Sequence, residues 1–183
     1  MYSEKYKFLF IHPQKTAGGS IKQSLRNTFG RENTIEPEHS GHWGYNHFED
    51  YIDGNIKNYF TFSVVRNPWD RAVSYFNHLR RHKNYKKPFG MFCRDVYPKD
   101  LLMKPKISKS GKIATDYIIK FENLEEDFDE VMMHLKKQEY FKLLKNDWGN
   151  NNKKNYRSFY TKKTKETIKD MFQWEILNFN YKF

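Results

Sequence analysis

The run Phe8-Leu9-Phe10-Ile11 is apolar at every position, the pattern of a parallel strand covered on both faces. Pro13 has no N–H to give to a ladder, so the strand closes before it. The period then changes. Ile21, Leu25 and Thr28-Phe29 recur at helical spacing and predict a helix with one apolar face, capped by Ser20. Residues 30–57 read as a long crossover, with turn formers, histidines and aromatics concentrated in residues 36–47. Tyr59-Phe60-Thr61-Phe62-Ser63-Val64-Val65 is dense in aromatic and β-branched residues and predicts the second core strand. Trp69, Ala72, Val73 and Phe76 fall on one helical stripe, with Asn67 as N-cap, Pro68 in the first helical position and Asp70 where the dipole favours it. Asp116 to Phe121 predicts a third strand, and Leu124, Phe128, Val131, Met132 and Leu135 a third helical face. Ile168, Phe172, Trp174 and Ile176 place a continuous helix of about four turns near the end. The alternation predicts a single α/β domain over residues 1–183: three layers, a mainly parallel central sheet, helices on both faces, and a site outside the carboxyl ends of the strands.

Composition narrows the class. Aromatics make up 18% of the 183 residues, enough for a sizeable core. No apolar run approaches the length of about eighteen residues needed to span a membrane. The first strand begins too early to leave room for a secretion signal. Cys93 is the single cysteine, which excludes a disulfide framework or a cysteine-based metal site. Together these point to the cytoplasm. The formal charge of +11, from 33 basic and 22 acidic side chains, implies a polyanionic partner. Part of that charge reads as solvated surface, as in residues 150–155. The basic run Arg80-Arg81-His82-Lys83-Asn84-Tyr85-Lys86-Lys87 could contact nucleic acid. A solvated continuation of the preceding helix is favoured, because no recognition helix or nucleic-acid-binding module accompanies the run.

The chemistry begins in the loop after the first strand, His12-Pro13-Gln14-Lys15-Thr16-Ala17-Gly18-Gly19-Ser20. Strand, tight turn and helix N-terminus aim backbone N–H groups and a dipole at one spot, which suits an anion. Lys15 adds a positive charge, Thr16 and Ser20 add hydroxyls, and Gly18-Gly19 allow close backbone approach. The lysine precedes the glycines, so this is not the G-x-x-x-x-G-K-(S/T) phosphate loop.

The order K-T-A-G-G-S after His12-Pro13 resembles the 5′-phosphosulfate loop of sulfotransferases that use 3′-phosphoadenosine 5′-phosphosulfate (PAPS), the glycan-type members in particular. Gln14 is an extra residue relative to the usual pattern. Val65-Arg66-Asn67-Pro68-Trp69-Asp70-Arg71 through Ser74 and Tyr75 resembles the family's 3′-phosphate motif. The resemblance implies a P-loop-like sulfotransferase fold. It implies that Lys15, Thr16, Ala17, Gly18, Gly19, Ser20 and Ile21 hold the phosphosulfate, with Lys15 at the leaving oxygen, and that Arg66 and Ser74 grip the 3′-phosphate. Arg71 matches a family arginine of structural role. The loop of residues 153–157, with Tyr156 and Arg157, would approach the same phosphate. Residues 78–112 would help form the acceptor cleft.

Gly41-His42 resembles a G-H segment ahead of the second strand, which makes His42 the expected general base. Glu36 and Glu38 are the carboxylate contenders, and His12 is a weaker one. His39, His42 and His47 lack metal-site spacing, so no metal is expected. The implied reaction moves the sulfuryl group of PAPS to an acceptor hydroxyl, a saccharide being favoured, and releases adenosine 3′,5′-bisphosphate. A phosphate-loop kinase or nucleotide hydrolase is the alternative, weakened by the residue order and the lack of a clear Walker B aspartate. A basic nucleic-acid-binding protein is the second alternative.

Overall fold

A computed structural model describes residues 1–38, 43–52, 55–96, 107–110, 112–135 and 155–183. They divide into two compact units. The first comprises the described residues within Met1–Val65 and Met103–Asp147, the second those within Arg66–Leu102 and Trp148–Phe183.

The first unit is built on a mixed, mostly parallel sheet. Strand β1 (Tyr2–Ser3) runs antiparallel to β2 (Phe8–Ile11); β2 pairs in parallel with β3 (Phe60–Val65); the sheet ends in a further parallel strand at Tyr117–Lys120. A two-residue hairpin, β4 (Ser108–Lys109) with β5 (Lys112–Ile113), precedes that last strand, which is therefore β6. All four residues of β2 are fully buried, as its unbroken apolar run requires. Strand alternation sends Phe8, Phe10, Phe62, Val64 and Ile119 to one face. There they meet Ile21, Leu25 and Phe29 of helix α1 (Gly18–Phe29).

The crossover after α1 carries helix α2 (Tyr45–Tyr51), where the sequence pattern predicts loop. Glu36 ties this segment back to α1 through Lys22 and Arg26, both at 2.6 Å. A further helix, Leu124–His134, covers the same sheet face with Phe128, Val131 and Met132. On the opposite face the buried hydroxyls of β3 are satisfied, as groups removed from water must be. Ser63 Oγ donates to Ile11 O at 2.6 Å, and Thr61 donates through both N and Oγ1 to Asp116 Oδ2 at 2.7 Å.

The second unit gathers around α3 (Pro68–His82), whose Trp69, Ala72, Val73 and Phe76 are buried as predicted. They pack with Phe89 of the single turn α4 (Phe89–Met91) and with Phe92 and Cys93 of the π-helical turn after it. Numbering Leu124–His134 as α5, the remaining helices are α6 (Lys162–Met171) and α7 (Gln173–Phe179). The expected continuous helix is thus broken at Phe172, where φ is −111° and ψ 26°. Phe172 is fully buried in the same cluster as Ile168, so packing at this residue overrides helical periodicity. Asn180, at φ 54°, then turns the chain out of α7, a conformation Asn tolerates better than most residues. Burial pushes the Cys93 thiol up to about 12, so it stays protonated.

This packing sets a contrast measurable by chemical denaturation. Leu25→Ala should cost about 2–5 kcal/mol, because it empties space between α1 and the sheet. Met133→Ala on the outer face of α5, where the side chain is 57% exposed, should change stability by less than about 0.5 kcal/mol.

Candidate active site

In the first unit, the turn between β2 and α1 is a left-handed one without glycine at its left-handed positions. Lys15 sits at φ 63° and Ala17 at φ 64°. For L residues this costs roughly 1–2 kcal/mol each, and such strain is typical of ligand-holding turns. Thr16 lies between them, fully buried, and its Oγ1 donates to Pro13 O at 2.7 Å. Its proton therefore stabilises the turn and is not offered outward, contrary to the expected donor role. Ala17 occupies the N-cap position expected for Ser20, which instead lies inside the helix. Ala17 has no side-chain oxygen, so no side chain caps the first turn of α1, leaving its dipole to face the turn. Lys15 and Ser20 are half-buried at the turn, whereas the Ile21 side chain points into the core.

The two glycines differ. A Cβ on Gly18 would lie 2.6–2.8 Å from the His12 ring and Cβ, while one on Gly19 would meet nothing within 4 Å. Gly18 thus lets the imidazole, stacked on Phe10 at 5.8 Å, lie against the helix start. Ile11 stands opposite Ser63, so β2 and β3 point their carboxyl ends the same way, with β3 running two residues further, to Val65. Val65 is the last residue of β3, and Arg66 follows it in the chain.

In the second unit, Asn67 caps α3 by accepting from Trp69 N at 3.1 Å and Asp70 N at 3.4 Å, with Pro68 behind it. Asp70, expected to serve the helix dipole alone, also receives Arg66, with Nη2 at 2.8 Å and Nε at 2.9 Å from Oδ2. Ser74 is four residues, about one helical turn, beyond Asp70 on α3 and is half-buried. Arg71 is fully buried with its guanidinium carbon 5.2 Å above the Phe172 ring, in keeping with a structural role. Tyr156 and Arg157 lie in a 3₁₀ turn capped by Asn155, and the Arg157 guanidinium stands 4.8 Å above the Tyr156 ring. The earlier part of that loop lies outside the described residues.

The candidate bases fare unequally. His42, with Gly41 and His39, lies outside the described residues. Burial opposes the charge on Glu36, but the Lys22 hydrogen bond and the surrounding positive charges, Arg26 among them, hold its carboxyl below its usual 4.5. Glu38 is exposed. His47 accepts from Gly44 N through Nδ1 at 3.3 Å and stacks on Trp43. Among the described residues no group of three or more His, Cys, Asp or Glu could hold a metal ion, and no helix is long and apolar enough to cross a membrane. Asp70 as the partner of Arg66 was missed in the sequence, although its spacing of four residues was readable there.

These features define a mixed α/β protein with a mostly parallel sheet flanked by helices, and with a strained lysine turn at the carboxyl end of a central strand. A family model described as the sulfotransferase family matches residues 1–101, more than half of the chain. The chain belongs to the sulfotransferase family, and so to a family of transferases. An uncharacterized protein of Archaeoglobus fulgidus is 36% identical over 78 residues, covering 40% of this chain and 65% of that protein. The chain therefore spans just under two thirds of that relative's length. No solved structure matches.

Two outcomes test this geometry. Gly18→Ala should destabilise the fold by about 1–3 kcal/mol through overpacking against His12, and His12→Ala should relieve most of that loss in the double variant. Gly19→Ala should be neutral or slightly stabilising, as expected of alanine in a helix. Thermal or urea unfolding reads all four variants. Separately, Glu36 has a depressed folded-state pKa, so its contribution to stability is present above its unfolded value of about 4.5 and is lost as pH falls through the folded one. Unfolding curves of the wild type and Glu36→Gln should differ above that pH and converge below it.

Proposed function

We propose that this chain transfers the sulfuryl group of PAPS to an acceptor hydroxyl, a saccharide being favoured, and releases adenosine 3′,5′-bisphosphate. The observation that carries the reading is the Lys15 turn: a lysine held in a strained left-handed conformation between a buried parallel strand and a helix with no side-chain cap, in a member of the sulfotransferase family. In this reading the backbone of residues 16–20 and Lys15 hold the 5′-phosphosulfate. Arg66 and Ser74 hold the 3′-phosphate and so select PAPS over ATP, an arginine fork suiting a phosphate dianion.

The acceptor oxygen attacks sulfur as the bond from sulfur to the bridging oxygen breaks. That bridging oxygen leaves with the electron pair on the 5′-phosphate, and the acceptor proton passes to the base. Lys15 stabilises the charge growing on the leaving oxygen, an electrostatic role that strengthens toward the transition state. The proposed base remains His42, with Glu38 next; the ion pairs of Glu36 argue against it. The activity needs no metal on this reading.

The test is ligand-dependent melting and turnover. Adenosine 3′,5′-bisphosphate should raise the melting temperature and 5′-AMP much less. Arg66→Ala should weaken binding of the bisphosphate, and Lys15→Ala should lower turnover by more than affinity. Equal shifts with both nucleotides would remove the 3′-phosphate assignment. Normal turnover in Lys15→Ala would remove the lysine from the mechanism.

A further inference from the structure

His12 follows the last residue of β2 and is half-buried. Its Nε2 is buried, so the imidazole is badly placed to take a proton from an acceptor in the solvent. Its other side lies against the start of α1. A Cβ built on Gly18 would stand 2.6 Å from His12 Nδ1, 2.7 Å from Cγ and 2.8 Å from Cβ, closer than packed atoms approach. Only glycine at position 18 lets helix and imidazole come this near. The imidazole is in turn stacked on Phe10, with centroids 5.8 Å apart and planes at 29°. Phe10 is fully buried in β2. The His12 side chain is thus a wedge between a fixed strand residue and the first residue of α1.

What the wedge sets is the place of the first turn. The hold of α1 on the sheet comes from Ile21, Leu25 and Phe29, further along the helix. The first helical bond runs from Ile21 N to Ala17 O at 3.2 Å. The N–H groups of Gly18, Gly19 and Ser20 come before it and have no acceptor within the helix, and no side chain caps them. Their direction depends on where the first turn sits. A misplacement of about 1 Å is enough to spoil groups that must converge on one ligand.

We propose that His12 is a positioning residue for the 5′-phosphate end of the nucleotide: wedged between Phe10 and Gly18, it fixes the first turn of α1 and so aims the N–H groups of Gly18, Gly19 and Ser20 at the anion. The inference rests on the sulfotransferase reading above. It gives His12 a task other than proton transfer, and the task belongs to the side of the imidazole that meets Gly18. Asparagine has counterparts of all three His12 atoms on that side, Cβ, Cγ and a δ nitrogen or oxygen, whereas alanine has only Cβ.

The experiment is calorimetric titration of the full chain with adenosine 3′,5′-bisphosphate and with 3′-AMP, which lacks the 5′-phosphate, alongside turnover and the melting temperatures of the unliganded variants. His12→Ala should weaken bisphosphate binding by about tenfold, the size of one charge-assisted hydrogen bond, and should leave 3′-AMP binding within about twofold. His12→Asn should restore most of the lost affinity. Gly18→Ala presses on the same contact from the helix side and should show the same selective loss, so it decides the matter if His12→Ala does not fold. The double variant His12→Ala/Gly18→Ala should regain melting temperature over Gly18→Ala without regaining bisphosphate affinity. Equal losses for both ligands would mean a merely structural role and would overturn the inference. So would bisphosphate affinity within about twofold of the wild type in His12→Ala, and if turnover were then lost in both His12→Ala and His12→Asn, His12 would be the base instead. In either case the nucleotide reading stands. If the wild type binds the bisphosphate no tighter than 3′-AMP, the Lys15 turn does not hold a phosphate, and that reading falls with this one.

Discussion

The parallel pairing of Phe8–Ile11 with Phe60–Val65 is the constraint on which the first unit depends. Once Ile11 is opposite Ser63, the carboxyl end of β2 lies beside β3 two residues before β3 ends, and the turn that follows β2 starts from a fixed platform. That register is costly to slip. A shift by one residue would turn Phe8 and Phe10 away from α1 and α5, and would separate Ser63 Oγ from Ile11 O. The apolar face and the buried hydroxyl thus specify the same register from opposite sides of the sheet.

A rigid platform is what allows the turn to be strained. Lys15 and Ala17 both hold left-handed conformations, and they are flanked by elements whose own positions are fixed. β2 is buried on both faces, and α1 is locked by Ile21, Leu25 and Phe29. Thr16 adds an internal hydrogen bond to Pro13 O. The result is a lysine whose backbone conformation is fixed by its flanking elements, as the proposed role of Lys15 would need. That preorganisation is the usual way an electrostatic contact gains strength where charge develops.

Strands and helical faces were legible because their periods are strong. The runs at Phe8 and Phe60, the stripe from Trp69 to Phe76 and the face from Phe128 to Met132 are all where hydrophobic spacing places them. Three features were not legible, each for a physical reason. Ser20 reads as the cap because serine favours that position, yet the left-handed Ala17 starts α1 three residues earlier, and propensity yields to the path of the turn. Phe172 fits the helical pattern and still ends a helix, because its burial among Ile168 and its neighbours outweighs continuation. The edge-on contacts of Phe183 with Trp69, Tyr156 and Tyr160, and the bonds from Asn67 to Lys182 O and from Trp69 to Lys165 O, join residues far apart in sequence, which no local pattern encodes. At the site, Asn67, Pro68 and the Arg66–Ser74 spacing were readable as a capped helix. The outward hydroxyl expected of Thr16 was not realised, because the turn needs that proton itself.

On the proposed reaction, the two candidate carboxylates differ in environment. A general base works best with a pKa near the operating pH. Glu36 is moved the wrong way: Lys22 and Arg26 close on its two oxygens and favour the charged form, so it holds a proton less readily than an ordinary glutamate. Those same contacts hold the chain beyond α1 where it meets Tyr2 through the bridge at Ile35. Glu36 thus anchors the chain that follows α1, which argues against it as the base of the proposed reaction. His47 is constrained in a similar way, since its Nδ1 closes the first turn of α2. Glu38, two residues after the Glu36 anchor, is exposed, so on the proposed reaction it is the described carboxylate whose environment leaves it available to take an acceptor proton.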